Sequence, residues 1–262
     1  MKRIFVREEG EDEYRVVKNR FKIGVTGMGQ GVGTSLVATA LAKELAREKK
    51  TYVAYVEINQ EGKSPLLYDS LGIDKRFAGR RFLDFYEETA KGHSLAGLVN
   101  LDERINWALW IPEDGSRNKR RPLEVIELCR LINNIAGDHI VCDINPDPNQ
   151  EQLLREMDCL IFVIDPLPSR LIGEYEKLCL MKKYQLKGQK VFWVVNKYNE
   201  GINKREFTDF VKIKPFLKIP LIPQEDLYLA EYNCRLAYSL PSVNERIGEP
   251  IRQLLQLCKK EL

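Results

Sequence analysis

A glycine-rich turn near the amino terminus is the segment of this sequence best suited to hold a ligand. Glycine stands at positions 27, 29, 31 and 33, between an apolar segment at 21–26 and a segment with helical spacing of apolar residues. Glycine tolerates positive φ and lets a ligand approach the backbone closely, and the free amides that open a helix bind anions. Four alternating glycines exceed what a tight turn requires, so the turn predicts a phosphate site.

Polar residues at the ends of later strands could complete such a site. Glu57 and Asn59 follow one apolar segment, Asp143 ends a second, and Asn196 and Lys197 end a third. Because ligands of parallel sheets bind beyond the carboxyl ends of the strands, the turn and these residues should share one edge of the sheet. The segments expected at that edge are 27–35, 57–60, 143–146, 165–168 and 196–197.

Apolar segments alternate with helical patterns along the chain from residue 21 onward. Leu160–Ile164 and Val191–Val195 are continuous apolar runs, which are typical of strands buried on both faces of a parallel sheet. The sequence therefore predicts an α/β fold with a doubly wound, mostly parallel sheet and helices on both faces. Strands are predicted at 21–26, 52–57, 105–111, 139–143, 159–165, 189–196 and 217–222, and helices after the glycine turn and around 122–135, 168–184, 203–212 and 247–260.

Length and composition favour a single globular domain. The chain has 262 residues, of which 44% are hydrophobic and 30% are charged. We expect residues 1–20 to be a short amino-terminal extension and 21–262 to be one domain. The apolar runs are too short to cross a bilayer and the amino terminus turns acidic early, which predicts a cytoplasmic location. Six widely spaced cysteines and two histidines argue against a zinc site.

The turn matches two nucleotide-binding patterns. It resembles the Thr-Gly-x-x-x-Gly-x-Gly fingerprint of short-chain dehydrogenases, with Thr26, Gly27, Gly31 and Gly33 in register. That family also requires a Tyr-x-x-x-Lys pair well downstream, whereas the only such spacing here, Tyr14 to Lys18, lies upstream. An NAD(P)-dependent oxidoreductase is therefore the alternative interpretation.

The second pattern is the phosphate-binding loop Gly-x-x-x-x-Gly-Lys-[Ser/Thr], whose lysine reaches the β and γ phosphates and whose hydroxyl binds Mg²⁺. Aligned on Gly33, this chain has Met28 at the first glycine, Thr34 at the lysine and Ser35 at the hydroxyl. The loop is degenerate, and Ser35 would be the Mg²⁺ ligand. The phosphate cradle would consist of Gly29, Gln30, Gly31, Val32, Gly33, Thr34 and Ser35.

Later segments resemble the MinD/ParA family of deviant P-loop ATPases over residues 20–260. The resemblance rests on Asp143 followed by Pro146, on the strand and loop at 157–169, on Val194-Val195-Asn196-Lys197, and on 218–223 followed by Leu229-Ala230-Glu231. It implies that ATP or ADP binds with Mg²⁺. By this resemblance Asp143 would hold the water shell of Mg²⁺ and Asn196 would bind adenine.

Several positions depart from the pattern of that family. Gly29 replaces the lysine that crosses the dimer to the γ phosphate of the partner, and Thr34 replaces the second lysine. Asn59 stands where a water-orienting aspartate is expected, and Glu57 is either a partial substitute or an ordinary strand-end carboxylate. Loss of cations that neutralise charge during phosphoryl transfer predicts slow or absent hydrolysis.

The atypical loop resembles the TadZ/CpaE type within this superfamily, which implies a switch or scaffold for localisation or assembly. A face-to-face homodimer and a protein partner from a secretion, pilus or partition system are further implications, with a location in the cytoplasm or at the inner membrane or cell pole. The basic run Arg117–Arg121 could bind DNA or a membrane surface, but a solvated loop is preferred. A protein that keeps the fold without nucleotide is the third interpretation.

Overall fold

The computed structural model describes residues 20–58, 67–76, 82–111, 121–144 and 151–260. The predictions made for residues 1–19, Asn59, Pro146 and 117–120 lie outside the described residues.

Eight strands form one sheet within the described part of the chain. Their order is β3-β4-β2-β5-β1-β6-β7-β8, and all neighbours are parallel except β3 and β4. The predicted fold class is confirmed. The strands are β1 Phe21–Gly27, β2 Val53–Ile58, β3 Leu101–Asp102, β4 Ile105–Ala108, β5 His139–Ile144, β6 Cys159–Ile164, β7 Val191–Tyr198 and β8 Leu217–Pro220.

Helices connect the parallel strands and cover both faces of the sheet. The chain moves from β1 to β2 in one direction along the sheet, and from β5 through β6 and β7 to β8 in the other. Because such crossovers are right-handed, the connecting helices of the two series lie on opposite faces. The described helices are α1 Thr34–Arg47, α2 Leu67–Ser70, α3 Ile73–Arg76, α4 Phe85–Ala90, α5 Val125–Asn134, α6 Glu151–Arg155, α7 Pro168–Gly173, α8 Tyr175–Leu186, α9 Lys204–Val211, α10 Gln224–Tyr232 and α11 Pro241–Lys259.

The central strands carry the core. Every residue of β2 and β6 is buried, as the continuous apolar run in β6 predicts. Helices α1 and α11 pack against each other on one face of the sheet. None of the described helices has both the length and the apolar composition needed to cross a membrane.

The last helix begins earlier than the sequence pattern predicts. It starts at Pro241 rather than near residue 247, and it continues through Pro250. Proline is favoured in the first turn of a helix, where its missing amide has no partner to lose, so Pro241 is a natural start. The helix continues past Pro250 because one of its faces is apolar and packs into the core. The buried residues of that face are Val243, Ile247, Ile251, Leu254, Leu255 and Cys258.

Two other predicted boundaries change as well. The helix predicted at 168–184 is divided at Glu174 into α7 and α8. The strand predicted at 105–111 ends at Ala108, although Trp110 and Ile111 remain buried. Apolar content alone could not distinguish a buried loop from a continued strand.

Truncation of a central core side chain should destabilise the fold. Ile161 of β6 is fully buried, so Ile161→Ala is expected to lower the free energy of unfolding by about 2–5 kcal/mol. Urea denaturation measures this, with Ile126→Ala as a control because Ile126 is 70% exposed. Equal effects of the two substitutions would contradict the central position of β6.

Candidate functional site

The turn between β1 and α1 adopts a conformation that only part of its glycine pattern requires. Gly31 and Gly33 have φ values of 73° and 95°, which L side chains rarely adopt. Gly27 is needed for space, because a Cβ there would lie 2.5 Å from Cγ2 of the buried Val32, whereas a Cβ on Gly29 would meet only the flexible side chain of Glu174. The predicted role of the glycines is thus divided between backbone conformation and close packing.

Three successive carbonyls of the turn are held by side chains from β7 and α7. Arg170 donates to the carbonyl of Gln30, Lys197 Nζ donates to that of Gly31 at 2.7 Å, and Asn196 Nδ2 donates to that of Val32 at 2.8 Å. In a trans peptide the C=O and the following N–H point in opposite directions. The amides that follow these carbonyls, those of Gly31, Val32 and Gly33, therefore point away from the three donors.

The amides of the same turn have no acceptors within the described residues. The Met28 amide donates to Val163, and the next backbone hydrogen bond from an amide is that of Val37 to the carbonyl of Gly33. No acceptor among the described residues receives the amides from Gly29 to Leu36. A run of free amides at the start of a helix is a ready anion site, and phosphate is the anion this geometry suits.

Ser35 and Asp143 lie next to each other beside this cradle. The Ser35 side chain, in the first turn of α1, interacts with the Asp143 carboxylate at the end of β5 and acts to lower its pKa. Tyr55 also donates to Asp143 Oδ2 at 2.9 Å. Burial raises the pKa of Asp143, while the interactions with Ser35 and Tyr55 oppose that shift.

This pair fits the donor set that Mg²⁺ uses. Mg²⁺ usually keeps several waters and takes one or two carboxylates plus phosphate oxygens from its ligand. Among the residues described, no three histidine, cysteine or acidic side chains cluster into a metal site on their own. Ser35 and Asp143 could therefore hold Mg²⁺ only together with a bound phosphate ligand.

Glu57 lies opposite Asp143 in the register of β2 and β5, but its carboxylate is fully engaged. Oε1 accepts the Leu67 amide and Oε2 accepts the Trp110 amide, each at 3.1 Å. Tyr86 donates to the Glu57 carbonyl. Burial raises the pKa of Glu57 to about 8. These hydrogen bonds give Glu57 a structural role, because its carboxylate anchors the segments around Leu67 and Trp110 and needs no ligand to do so.

Asn196 and Lys197 come together with the turn as predicted, although both donate to it. Asn196 is 3% exposed, and a Cβ on Gly33 would collide with its side-chain nitrogen. Lys197 also forms an ion pair with Asp165 Oδ2 at 2.8 Å. Both side chains thus shape the cradle from outside, and the role of Asn196 in binding adenine stays a prediction.

The remaining cradle positions act mainly through their backbones. Val32 is fully buried, Gln30 is exposed, and Thr34 begins α1 with its hydroxyl beside Gly27. Sequence reasoning did not single out Arg170, whose guanidinium reaches Gln30 across the loop after β6. A basic residue near the start of a helix carries no motif, so only the folded chain reveals this contact.

A cavity is lined in part by the charged residues Asp165, Arg170 and Lys197. It has a volume of about 590 Å³ and opens between α7 and α9. Asp165, Arg170 and Lys197 form one end, and Leu171, Phe207 and Phe210 contribute apolar walls. The charged end of the cavity therefore shares its residues with the outer side of the turn.

The architecture closely matches solved structures. The ParA family ATPase of Chlorobium tepidum aligns with a TM-score of 0.70 and 17% identity, over 90% of this chain and 98% of that chain. The fold is that of the MinD/ParA P-loop ATPases. No protein-family model and no curated protein sequence matches the chain.

Two further MinD/ParA structures were determined with nucleotide. A plasmid partition protein of Borrelia burgdorferi bound to AMPPNP gives a TM-score of 0.66 and 18% identity, over 92% of this chain and 99% of that chain. MinD of Pyrococcus horikoshii in complex with Mg-ADP gives a TM-score of 0.65 and 16% identity, over 93% of this chain and 98% of that chain. The MinD/ParA fold does not favour the dehydrogenase interpretation.

The raised pKa of Glu57 predicts a pH dependence of stability. An unfolded chain loses this proton near the ordinary value of 4.5, whereas the folded chain keeps it up to about pH 8. The contribution of Glu57 to the free energy of unfolding should therefore fall as pH rises from 5 to 8, by at most about 1.4 kcal/mol per pH unit. Above about pH 8 the contribution of Glu57 should no longer change with pH.

Urea denaturation at pH 5, 6, 7 and 8 tests this expectation. The difference between wild type and Glu57→Gln should change across the window, because the variant lacks the titrating group. Glu245→Gln is the control, since Glu245 is exposed on α11. A constant difference between wild type and Glu57→Gln would show that the buried carboxyl does not titrate there.

Proposed function

We propose that this protein binds ATP or ADP together with Mg²⁺ and works as a nucleotide-dependent switch or scaffold in localisation or assembly. The observation that carries the proposal is the turn after β1, where three carbonyls are held outward and no acceptor in the described ranges receives the amides from Gly29 to Leu36. Ser35 and Asp143 lie where a phosphate-bound Mg²⁺ needs a hydroxyl and a carboxylate.

The relatives in structure support this ligand class. The Borrelia burgdorferi protein binds AMPPNP and the Pyrococcus horikoshii protein binds Mg-ADP, both on the same fold. In open α/β sheets the ligand lies beyond the strand ends where the chain reverses direction, and here that point is the end of β1. The free amides lie at this same point.

Hydrolysis in our proposal is slow or absent. Position 34, where a phosphate-binding loop carries lysine, is a threonine, and position 29 is a glycine. Glu57, the remaining acid near Asp143, has both carboxylate oxygens bound to backbone amides. A missing cation at the phosphates removes transition-state stabilisation that is worth orders of magnitude in rate.

The proposal extends to assembly. A face-to-face homodimer and a protein partner from a secretion, pilus or partition system would fit the fold, and the proposed role is similar to that of the TadZ/CpaE type. We place the protein in the cytoplasm, with docking at the inner membrane or the cell pole as part of the same proposal. Analytical ultracentrifugation with and without Mg-ATP tests the dimer.

Nucleotide binding should raise the melting temperature. A ligand at about 100 times its dissociation constant adds about 2.7 kcal/mol to stability, so millimolar Mg-ATP or Mg-ADP should give a clear shift against buffer. NAD and NADP serve as comparison ligands. A shift with NAD or NADP alone would replace the proposal by the oxidoreductase, and no shift with any nucleotide would favour a ligand-free scaffold.

Substitutions within the cradle should act in opposite directions. Thr34→Lys should tighten Mg-ATP binding about tenfold, because a lysine there can make a charge-assisted bond to phosphate. Ser35→Ala should weaken Mg-ATP but leave metal-free ATP in EDTA unchanged. Isothermal titration calorimetry measures both, with Ser94→Ala as a control on an exposed turn. Equal effects of Ser35→Ala with and without metal would count against the Mg²⁺ role.

A further inference from the structure

Three charged side chains cluster against the outer side of the phosphate turn. Asp165 follows β6, Arg170 lies in α7, and Lys197 lies near the end of β7. Asp165 Oδ2 is 2.8 Å from Lys197 Nζ and 3.7 Å from Arg170 Nε. Asp165 is only 4% exposed, so the two cations share one nearly buried carboxylate.

The two cations hold adjacent carbonyls of the turn. Arg170 bonds that of Gln30 and Lys197 bonds that of Gly31, and a Cβ on Gly31 would lie 3.7 Å from Arg170 Nη2. Two like charges this close repel each other, and a carboxylate between them offsets that repulsion. The outward direction of these carbonyls therefore depends on Asp165, which does not itself touch the turn.

We propose that Asp165, Arg170 and Lys197 act as one positioning unit that keeps the turn in its phosphate-binding conformation. The inference rests on the nucleotide-binding function proposed above. It adds Asp165 and Arg170 to that site as positioning residues.

The Asp165→Asn variant distinguishes a positioning role of Asp165 from a purely electrostatic effect of its charge on bound phosphate. If Asp165 acted only as a negative charge near the phosphates, its removal would tighten Mg-ADP binding. A positioning role predicts the opposite result, because the two cations lose the carboxylate that holds them together. We expect the dissociation constant of Mg-ADP, measured by calorimetry, to rise about tenfold, the change that about 1.4 kcal/mol produces. Tighter binding would overturn the proposal.

Arg170 is tested with a matched arginine elsewhere. Arg170→Gln should weaken Mg-ADP about tenfold, and Arg170→Lys, which keeps a cation and a donor, should recover most of the loss. Arg130 also donates to a loop carbonyl, that of Gly92, so Arg130→Gln is the control and should bind like wild type. Equal binding by Arg170→Gln and Arg130→Gln would contradict the unit.

The double variant tests whether the residues act together. If Asp165 and Arg170 belong to one unit, the combined substitution should weaken binding by less than the product of the single effects. Full multiplication of the two effects would contradict a shared unit. Melting temperatures of all variants without ligand identify any that fail to fold, and the comparison is restricted to those that remain folded.

Hydrogen exchange gives a readout that does not require nucleotide. Exchange of the Met28 and Val37 amides, the hydrogen-bonded amides on either side of the turn, should be faster in Arg170→Gln and Asp165→Asn than in wild type and Arg130→Gln, because a turn whose carbonyls are released opens more often. If wild type binds no adenine nucleotide, the proposed function fails. Hydrogen exchange then still tests whether Asp165, Arg170 and Lys197 hold the turn. Unchanged exchange in both variants would overturn it.

Discussion

The candidate site is organised around a run of backbone amides that find no acceptor in the described part of the chain. An unsatisfied amide shielded from water costs about 1–3 kcal/mol, so such a turn is stable only if water or an anion meets the amides. The peptides cannot simply rotate, because Arg170, Lys197 and Asn196 hold the carbonyls of Gln30, Gly31 and Val32. The cradle is therefore formed before any ligand arrives.

Topology supplies the two sides of this cradle from different strands. β1 lies between β5 and β6, with Val25 beside Asp143 on one side and Gly27 beside Val163 on the other. The β5 side brings Asp143 to the first turn of α1, and the side formed by β6 and β7 brings the donors that hold the carbonyls. The proposed metal site and the side chains that hold the turn thus lie on opposite sides of the strand that carries the turn.

The acidic side chains at the ends of β2 and β5 lack cationic partners among the described residues. Glu57 accepts two backbone amides, and Asp143 accepts the Tyr55 hydroxyl and interacts with the Ser35 side chain. Burial raises the pKa of both carboxyls because neutral donors only partly replace water around a charge. A divalent cation beside Asp143 would supply the positive charge that this part of the site lacks.

Local signals in the sequence predicted a mostly parallel sheet and the position of the glycine turn, because continuous apolar runs are typical of buried strands and alternating glycines are typical of a phosphate-binding turn. The sequence also identified Ser35, Asp143, Asn196 and Lys197 as residues of one sheet edge. That Asn196 and Lys197 donate to carbonyls of the turn is visible only in the folded chain, since the same side chains could equally have bound a ligand. The contact between Arg170 and Gln30 spans 140 residues of sequence, and no local pattern encodes a bond of that kind.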